Sequence, residues 1–465
     1  MSTAVHFLLV NPINTLDPDE TCFSNLGLGY IISAIRHEMP FIRGHTVEFK
    51  IINRDVVRTI KSWQPHIVGI TAVSQYYNHA MQYAKIAKSY GLSVIMGGTH
   101  ISALPETMTH DMDVSVIGEG EKTIVELVAT WAAEGKFYPN HLAEVDGIAY
   151  WDNNQVLTTK PRALVQPLDN IPHPARDISA IGRYTSMFTS RGCPYRCTYC
   201  FSSRFWNKVR FFSAEYVVEE IESLYKSGVR QISLLDDLFI ADTKRLEKII
   251  ELLSSKNLLG KLAYICNVRS NMVTNELAKL LHTLNVKYVG MGIESGCQRT
   301  LEYLKGKGNI TVADHSNAIQ ALKDNGIHTH PSFIIGSPFE DRDSVLETIK
   351  FIEDNNITDF EIYVLVPFPG TPVWEYAKGR NLVSSNMDWS RLYWNFGKNP
   401  NPVVLSERLS RQEVQDFYNQ IIDWKIKHII ATRKHQFRRL VSSGLRNPMA
   451  VPSYIVERCA NVFRS

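Results

Sequence analysis

Cysteine is scarce in this chain, at seven of 465 residues, yet three of the seven fall together at Cys193, Cys197 and Cys200. An odd count and the scatter of the other four exclude a disulfide framework. No uninterrupted apolar run is long enough to span a bilayer, and no basic leader opens the sequence. An excess of one charge is also missing. Fifty Lys and Arg against 47 Asp and Glu leave a formal charge of +3, which gives no nucleic-acid signature. These absences predict a cytoplasmic protein without a nucleic-acid partner. What is abundant is ordinary: 44% hydrophobic and 21% charged residues describe a globular protein, and the length predicts two or three domains.

The three clustered cysteines lie in the run Arg191-Gly-Cys-Pro-Tyr-Arg-Cys-Thr-Tyr-Cys-Phe201. Three thiolates at this spacing hold three corners of a cubic iron–sulfur cluster and leave the fourth iron without a protein ligand, where four cysteines are the usual complement. That iron is then open to a small molecule. A structural zinc site is the alternative, and it wants a fourth Cys or His nearby. No histidine lies between His173 and His282, and Cys22, Cys266, Cys297 and Cys459 are dispersed, as small buried hydrophobes tend to be.

Residues 4–120 alternate apolar runs with amphipathic ones. The pattern predicts strands over 5–10, 47–52, 66–71, 93–96 and 114–117, and helices over 26–37, 56–63 and 79–89. This rhythm predicts a doubly wound, Rossmann-like parallel sheet over residues 1–140, with ligands beyond the carboxyl ends of its strands. Asn11, Thr71, Ser74, Gln75, Tyr76, the run Gly97-Gly98-Thr99-His100 and the run Gly118-Glu119-Gly120 all fall at such ends. Residues 141–184, punctuated by Pro161, Pro167, Pro172 and Pro174, read as an ordered linker. From 185 to 380, strands over 185–190, 231–235, 263–268, 288–292, 328–335 and 359–365 alternate with helices such as 214–227 and 243–256. Six units predict an open, partial (β/α)6 barrel with its site on the carboxyl-end loops. Residues 381–465 read as a helical region. A helix over 411–440 carries Lys425, Lys427, Arg433, Lys434, Arg438 and Arg439, either as a solvated face or as a surface for an anionic or lipid substrate, with peripheral membrane contact. Before it, Trp389, Tyr393, Trp394 and Phe396 are either cavity wall or interdomain core.

The cysteine run, following a short strand and followed by an aromatic residue, resembles the radical S-adenosylmethionine (SAM) enzymes. The glycine-bearing runs from Leu26-Gly-Leu-Gly-Tyr30 through 97–106 to 117–121 resemble the cobalamin-binding domain that precedes many of them. The resemblance implies a [4Fe-4S] cluster on Cys193, Cys197 and Cys200, the catalytic core of the family, with SAM chelated at the open iron. It places SAM among Tyr199, Phe201, Asp236, Asp237, Arg269, Glu294, Ser295 and Gly336. A carboxylate at Asp236-Asp237 suits the amino group, and Arg269 the carboxylate or ribose. It places cobalamin among Asn11, Thr71, Ser74, Gln75, Tyr76, Gly97, Gly98, Thr99, His100, Gly118, Glu119 and Gly120. One departure stands out: the loop after the first strand, 11–20, has no histidine to ligate cobalt, and His100 belongs to the shape of the pocket.

The implied reaction is methylation of an unactivated carbon or phosphorus centre, using one SAM as methyl source and a second as source of a 5′-deoxyadenosyl radical. A small-molecule, lipid or peptide substrate and an external donor of the flavodoxin or ferredoxin type go with it, and an anaerobic host. Two alternatives stand beside this one. The first is radical cyclisation, dehydration or rearrangement with cobalamin used otherwise or absent. The second is a tRNA-modifying, RNA-binding protein, which would carry a second cluster in the N-terminal domain and a terminal RNA-binding barrel.

Overall fold

The computed structural model describes residues 4–13, 25–42, 44–178, 181–394, 396, 399 and 401–446, with side chains to residue 428 apart from His45. Cys22, Cys459, loop positions 14–20 and the side chains of Arg433, Lys434, Arg438 and Arg439 lie outside the described residues.

The N-terminal sheet is built from β1 (Val5–Val10), β2 (Phe41–Ile42), β3 (His45–Ile52), β4 (Ile67–Thr71), β5 (Ser93–Gly97) and β6 (Val114–Val116). Its neighbours run β2-β3-β1-β4-β5-β6, and the five strands from β3 to β6 are parallel. Strands of this kind are buried on both faces, hence the near-continuous apolar runs. Leu8 and Val10 enter one core, with α2 (Val56–Trp63) and α3 (Tyr77–Ser89). Phe7 and Leu9 enter the other, with α1 (Leu26–Glu38) and α4 (Gly120–Glu134).

The sheet continues where the sequence reads as linker. β7 (Ile148–Asp152) pairs antiparallel with β6, and β8 (Gln155–Thr158) with β7. Asn153 and Asn154 join them at φ 45° and 62°. A two-residue hairpin turn needs positive φ at both central positions, and asparagine tolerates it best after glycine. Ile148 and Tyr150 fasten the hairpin to the core beside α4.

The second sheet has six parallel strands in chain order: β9 (Tyr184–Met187), β12 (Gln231–Leu234), β13 (Ala263–Val268), β14 (Val286–Glu294), β15 (His328–Ile335) and β16 (Glu361–Val364). After β9 comes a small antiparallel ribbon, β10 (Ser190–Arg191) with β11 (Arg210–Phe211). The helices after the strands are α5 (Ala214–Lys226), α6 (Thr243–Ser255), α7 (Asn275–Leu284), α8 (Gln298–Lys305), α9 (Val312–Asp324), α10 (Arg342–Asp354) and α11 (Pro372–Gly379). Six of the seven begin at a side-chain cap that accepts a backbone N–H: Ser213, Asp242, Thr274, Thr311, Asp341 and Thr371. Such caps fix where each helix starts, and so where each strand-end loop stops. Strands in sequential order with a helix between each pair make a half-barrel open along one side. The final helix, α12 (Arg411–Arg446), buries Val414, Phe417, Tyr418 and Ile421 in the half-barrel's helix-side core.

Candidate cofactor site

The carboxyl ends of the half-barrel strands converge on the loop carrying the three cysteines. Cys197 is buried, and Cys193 and Cys200 are partly so. Burial pushes the Cys200 thiol up to about 11, with its neighbours Cys197, Asp237 and Cys193 adding to the rise; Cys193 is raised likewise. Thiolates held this close, in apolar surroundings, call for positive charge to offset them.

The loop is pinned from several sides. Arg204 donates through Nη1 to the carbonyls of Cys197 (3.0 Å) and Cys200 (2.7 Å). Thr198 donates its N–H to the Leu304 carbonyl at the end of α8 (2.8 Å). The Tyr199 hydroxyl donates to Glu294 Oε1 (2.6 Å), and Lys305 Nζ lies 3.2 Å from that same oxygen. The Phe201 ring packs close against Gly370, where an added Cβ would stand 2.3 Å from Cε2 of that ring.

Arg269, following β13, brings its Nη1 to 3.5 Å from Cys197 Sγ and stacks its guanidinium over Tyr195 at 3.8 Å. Its Nε donates to Asn271, while its buried Nη2 has no acceptor. A buried guanidinium with one idle donor beside a thiol fits an absent anionic group such as a cluster sulfide or a carboxylate. Among the described residues no three His, Cys, Asp or Glu side chains converge to hold a single metal ion. Three thiolates on one short loop, each able to take a different iron, suit a cubane cluster.

The remaining SAM candidates divide. Asp237 accepts from the Gly192 N–H (3.0 Å) beside the cluster loop. Asp236 is fully buried and accepts from the Thr189 N–H (2.6 Å) and hydroxyl (2.5 Å) and the Ser190 hydroxyl (2.6 Å). Its carboxylate is thus occupied with strand ends. Ser295 is wholly buried, with Oγ 3.0 Å from Thr348 Oγ1, and accepts from the Cys297 N–H. Gly336, at φ +84°, opens the loop after β15. The sequence reading missed Arg204, Lys305 and Glu340. Glu340 accepts from the Gly336 (2.6 Å) and Ser337 (3.2 Å) N–H groups. The short spacing Gly336-Ser-Pro-Phe-Glu340 was its available signal.

The cobalamin candidates sit on one rim, at the ends of β1, β4, β5 and β6. An added Cβ at Gly118 would meet nothing within 4 Å, and one at Gly97 only Val116 at 3.9 Å, so both leave an open cradle. Gly98, at φ +103°, is tight instead: a Cβ there would stand 2.5 Å from the Ala72 carbonyl oxygen. Thr99 is exposed and Thr71 and Gln75 half-buried along this rim, while Asn11 donates to Asn25 at its edge (2.7 Å). His100 is fully buried, stacked on Tyr77 at 3.7 Å, with its ring nitrogens at Ser74 (3.1 Å) and Thr107 (3.2 Å). Burial lowers it to about 3, so it is neutral and shapes the loops from within. The Glu119 side chain turns away into a buried ion pair with Arg191 and Arg210.

Residues 187–352 match the family model of the radical SAM superfamily, and residues 17–128 that of the B12 binding domain. An uncharacterized methyltransferase of Pyrococcus horikoshii is 35% identical over 382 residues, covering 79% of this chain and 81% of its own. This chain belongs to the cobalamin-binding radical SAM family. With that membership come a [4Fe-4S] cluster, SAM and cobalamin as cofactors. The chain is also similar to an anaerobic magnesium-protoporphyrin IX monomethyl ester cyclase of Cereibacter sphaeroides, 25% identical over 384 residues, 79% of this chain and 60% of that one. In fold, the chain is similar to the radical SAM methyltransferase TsrM of Kitasatospora setae, solved with cobalamin and a [4Fe-4S] cluster bound. That likeness has a TM-score of 0.67 at 20% identity and covers 82% of this chain and 76% of that one. No helix among the described residues is long and apolar enough to cross a membrane.

Proposed function

We propose that this radical SAM enzyme is a methyltransferase that places a methyl group on an unactivated carbon of a small-molecule, lipid or peptide substrate in the cytoplasm, with electrons from a flavodoxin- or ferredoxin-type donor. The observation that carries this reading is the meeting of the two rims. Glu119, next to the Gly118 cradle, lies 2.7 Å from Arg191, two residues before Cys193. When bound, the cofactors would supply a 5′-deoxyadenosyl radical and a transferable methyl group. Cys193, Cys197 and Cys200 would hold the cluster, with SAM beside it at the carboxyl ends of the half-barrel strands. Arg269 presents its idle Nη2 to an anionic group there, and Asp237 offers an acceptor to an ammonium. Tyr199, Phe201 and Glu294 fix the loop so that neither contact drifts, since small misplacements in such a site cost much rate. On the other rim, Thr71, Gln75, Gly97, Thr99 and Gly118 would hold the cobalamin.

The curated relatives named methyltransferases favour methyl transfer, whereas the cyclase relative favours radical chemistry without it. Anaerobically reconstituted protein, given SAM, reductant and candidate substrates, separates the two. Methyl transfer yields S-adenosylhomocysteine together with 5′-deoxyadenosine. Deoxyadenosine alone, with a consumed but unmethylated substrate, selects the second reading.

A further inference from the structure

The cluster loop has a neck, and the neck is built from like charges. Residues 192–209 are bracketed by the β10–β11 ribbon, in which Ser190 faces Phe211 and Arg191 faces Arg210. Two arginines directly opposite on paired strands repel. Both are buried here, 5% and 4% exposed, where water does little to screen them.

Their carboxylate partners come from the other domain. Arg191 donates through Nη1 to Glu119 Oε1 (2.7 Å) and through Nη2 to Glu121 Oε1 (2.5 Å). Arg210 donates through Nη2 to Glu119 Oε1 (2.8 Å) and through Nη1 to Glu119 Oε2 (3.0 Å). Glu119 Oε2 also accepts from the Val165 N–H (2.8 Å), and Arg210 Nη1 donates to the Val165 carbonyl (2.7 Å). The Trp206 ring, within the loop, receives both guanidinium groups on its face, at 5.2 and 5.6 Å. Two buried acids and two buried bases thus sum to zero charge, but only when the domains are joined.

We propose that Glu119 and Glu121 are positioning residues for the cluster loop, forming a clasp supplied by the N-terminal domain that closes the loop's neck by neutralising Arg191 and Arg210. Cys193 follows Arg191 by two residues, so the neck sets where the first thiolate stands. Glu119 also lies between Gly118 and Gly120 on the opposite rim. A shift of that rim therefore reaches the cysteines through one side chain.

The test is hydrogen–deuterium exchange across residues 190–211 in the full chain without cofactors, beside iron bound per chain after anaerobic reconstitution. The clasp requires that Glu119→Gln with Glu121→Gln speed exchange in this stretch by about tenfold or more, leave β12–β16 unchanged, and lower bound iron by at least about half. Adding Arg191→Met removes the repulsion, and the triple variant returns to within about threefold of wild-type exchange. Unchanged exchange in the double variant, or a triple variant more open than the double, overturns the clasp. Should the double variant not fold, Glu121→Gln with and without Arg191→Met gives the same comparison in the same direction, and no change there also overturns it. Wild-type protein that takes up no iron would instead sink the cluster assignment, leaving the exchange comparison to judge the clasp.

Discussion

At the scale of the residue, the three cysteines are the simplest case. Their roles depend on spacing within eight positions, so the sequence alone displays them. Replacing Cys197 with Ala removes the most buried of the three thiols, the one Arg269 approaches. Deoxyadenosine formation in that variant, measured anaerobically with excess SAM and reductant, is expected to be nil; turnover at the wild-type rate would refute the triad as cluster ligands. Lys305 and Arg204 teach the opposite lesson. Lys305 reads as one more helix lysine, yet it is 5% exposed and lies between the Gly292 carbonyl (2.6 Å) and Glu294. Arg204 sits four residues past Cys200 in a short helical turn, where its reach to two loop carbonyls depends on how the loop folds back. Long-range pairing is the part of the site that no local pattern carries. The same holds for Asp236 and Asp237, adjacent in sequence. Asp236 is spent on Thr189 and Ser190, whereas Asp237 gives one oxygen to the Gly192 N–H at the loop's start.

At the scale of the element, the strand ends carry the strain. β14 shifts register between Gly292 and Glu294, and Glu294 holds φ +67° without being glycine. That bulge turns the carboxylate inward to Tyr199 and Lys305, a conformation that persists only because its neighbours over-determine it. A Cβ at Gly292 would stand 2.2 Å from Glu294 Oε1. Gly292→Ala is therefore expected to displace the carboxylate and lower the melting temperature, at a cost on the order of 1–3 kcal/mol. An unchanged thermal melt would show that the bulge has slack. The loop after β15 makes a different prediction. Burial raises the Glu340 carboxyl from 4.5 to about 7, against two backbone N–H donors, and its Oε1 has no partner. Between those values the folded chain holds a proton that the unfolded chain releases, so this group's contribution to stability is lost as pH rises through the window. Glu340→Gln lacks that penalty. Its melting temperature relative to wild type should rise between pH 5 and pH 8, and a difference that stays flat or falls contradicts the assignment. Parallel strands and capped helices were legible because each obeys a local period. The β7–β8 hairpin was not, because its turn is Asn153-Asn154 without a glycine and its strands are short.

At the scale of the whole molecule, the division into domains is clearer in the chain than in the packing. One apolar core holds Leu8, Val68 and Val94 of the N-terminal sheet together with Val373, Trp374, Ala377, Trp389 and Leu392. Trp389 is buried between the two sides. Its ring meets His100 at 4.4 Å and Tyr77 at 6.0 Å from the N-terminal side, and stacks with Trp374 of α11 at 6.0 Å. Nearby, Asn78 donates to Asp388 (2.6 Å). Of the four tail aromatics, Phe396 is buried in the half-barrel's helix-side core beside Tyr418. Trp389 is interdomain core, while Tyr393 and Trp394 are half-buried where the tail meets β16 and the loop before α3. A core shared in this way makes the halves unfold together, whereas domains held only by polar contacts loosen one at a time. Trp389→Ala is expected to cost about 3–5 kcal/mol and to break that cooperation. Calorimetry should then resolve two transitions where the wild-type chain gives one. The earlier transition should carry exchange in α3 and in the short helix Thr99–Ala103, whose His100 and Tyr77 lose their partner. If the variant still melts in a single step, the clasp of charges at Glu119 and Arg191, and not the aromatic core, is what joins the two cofactor rims.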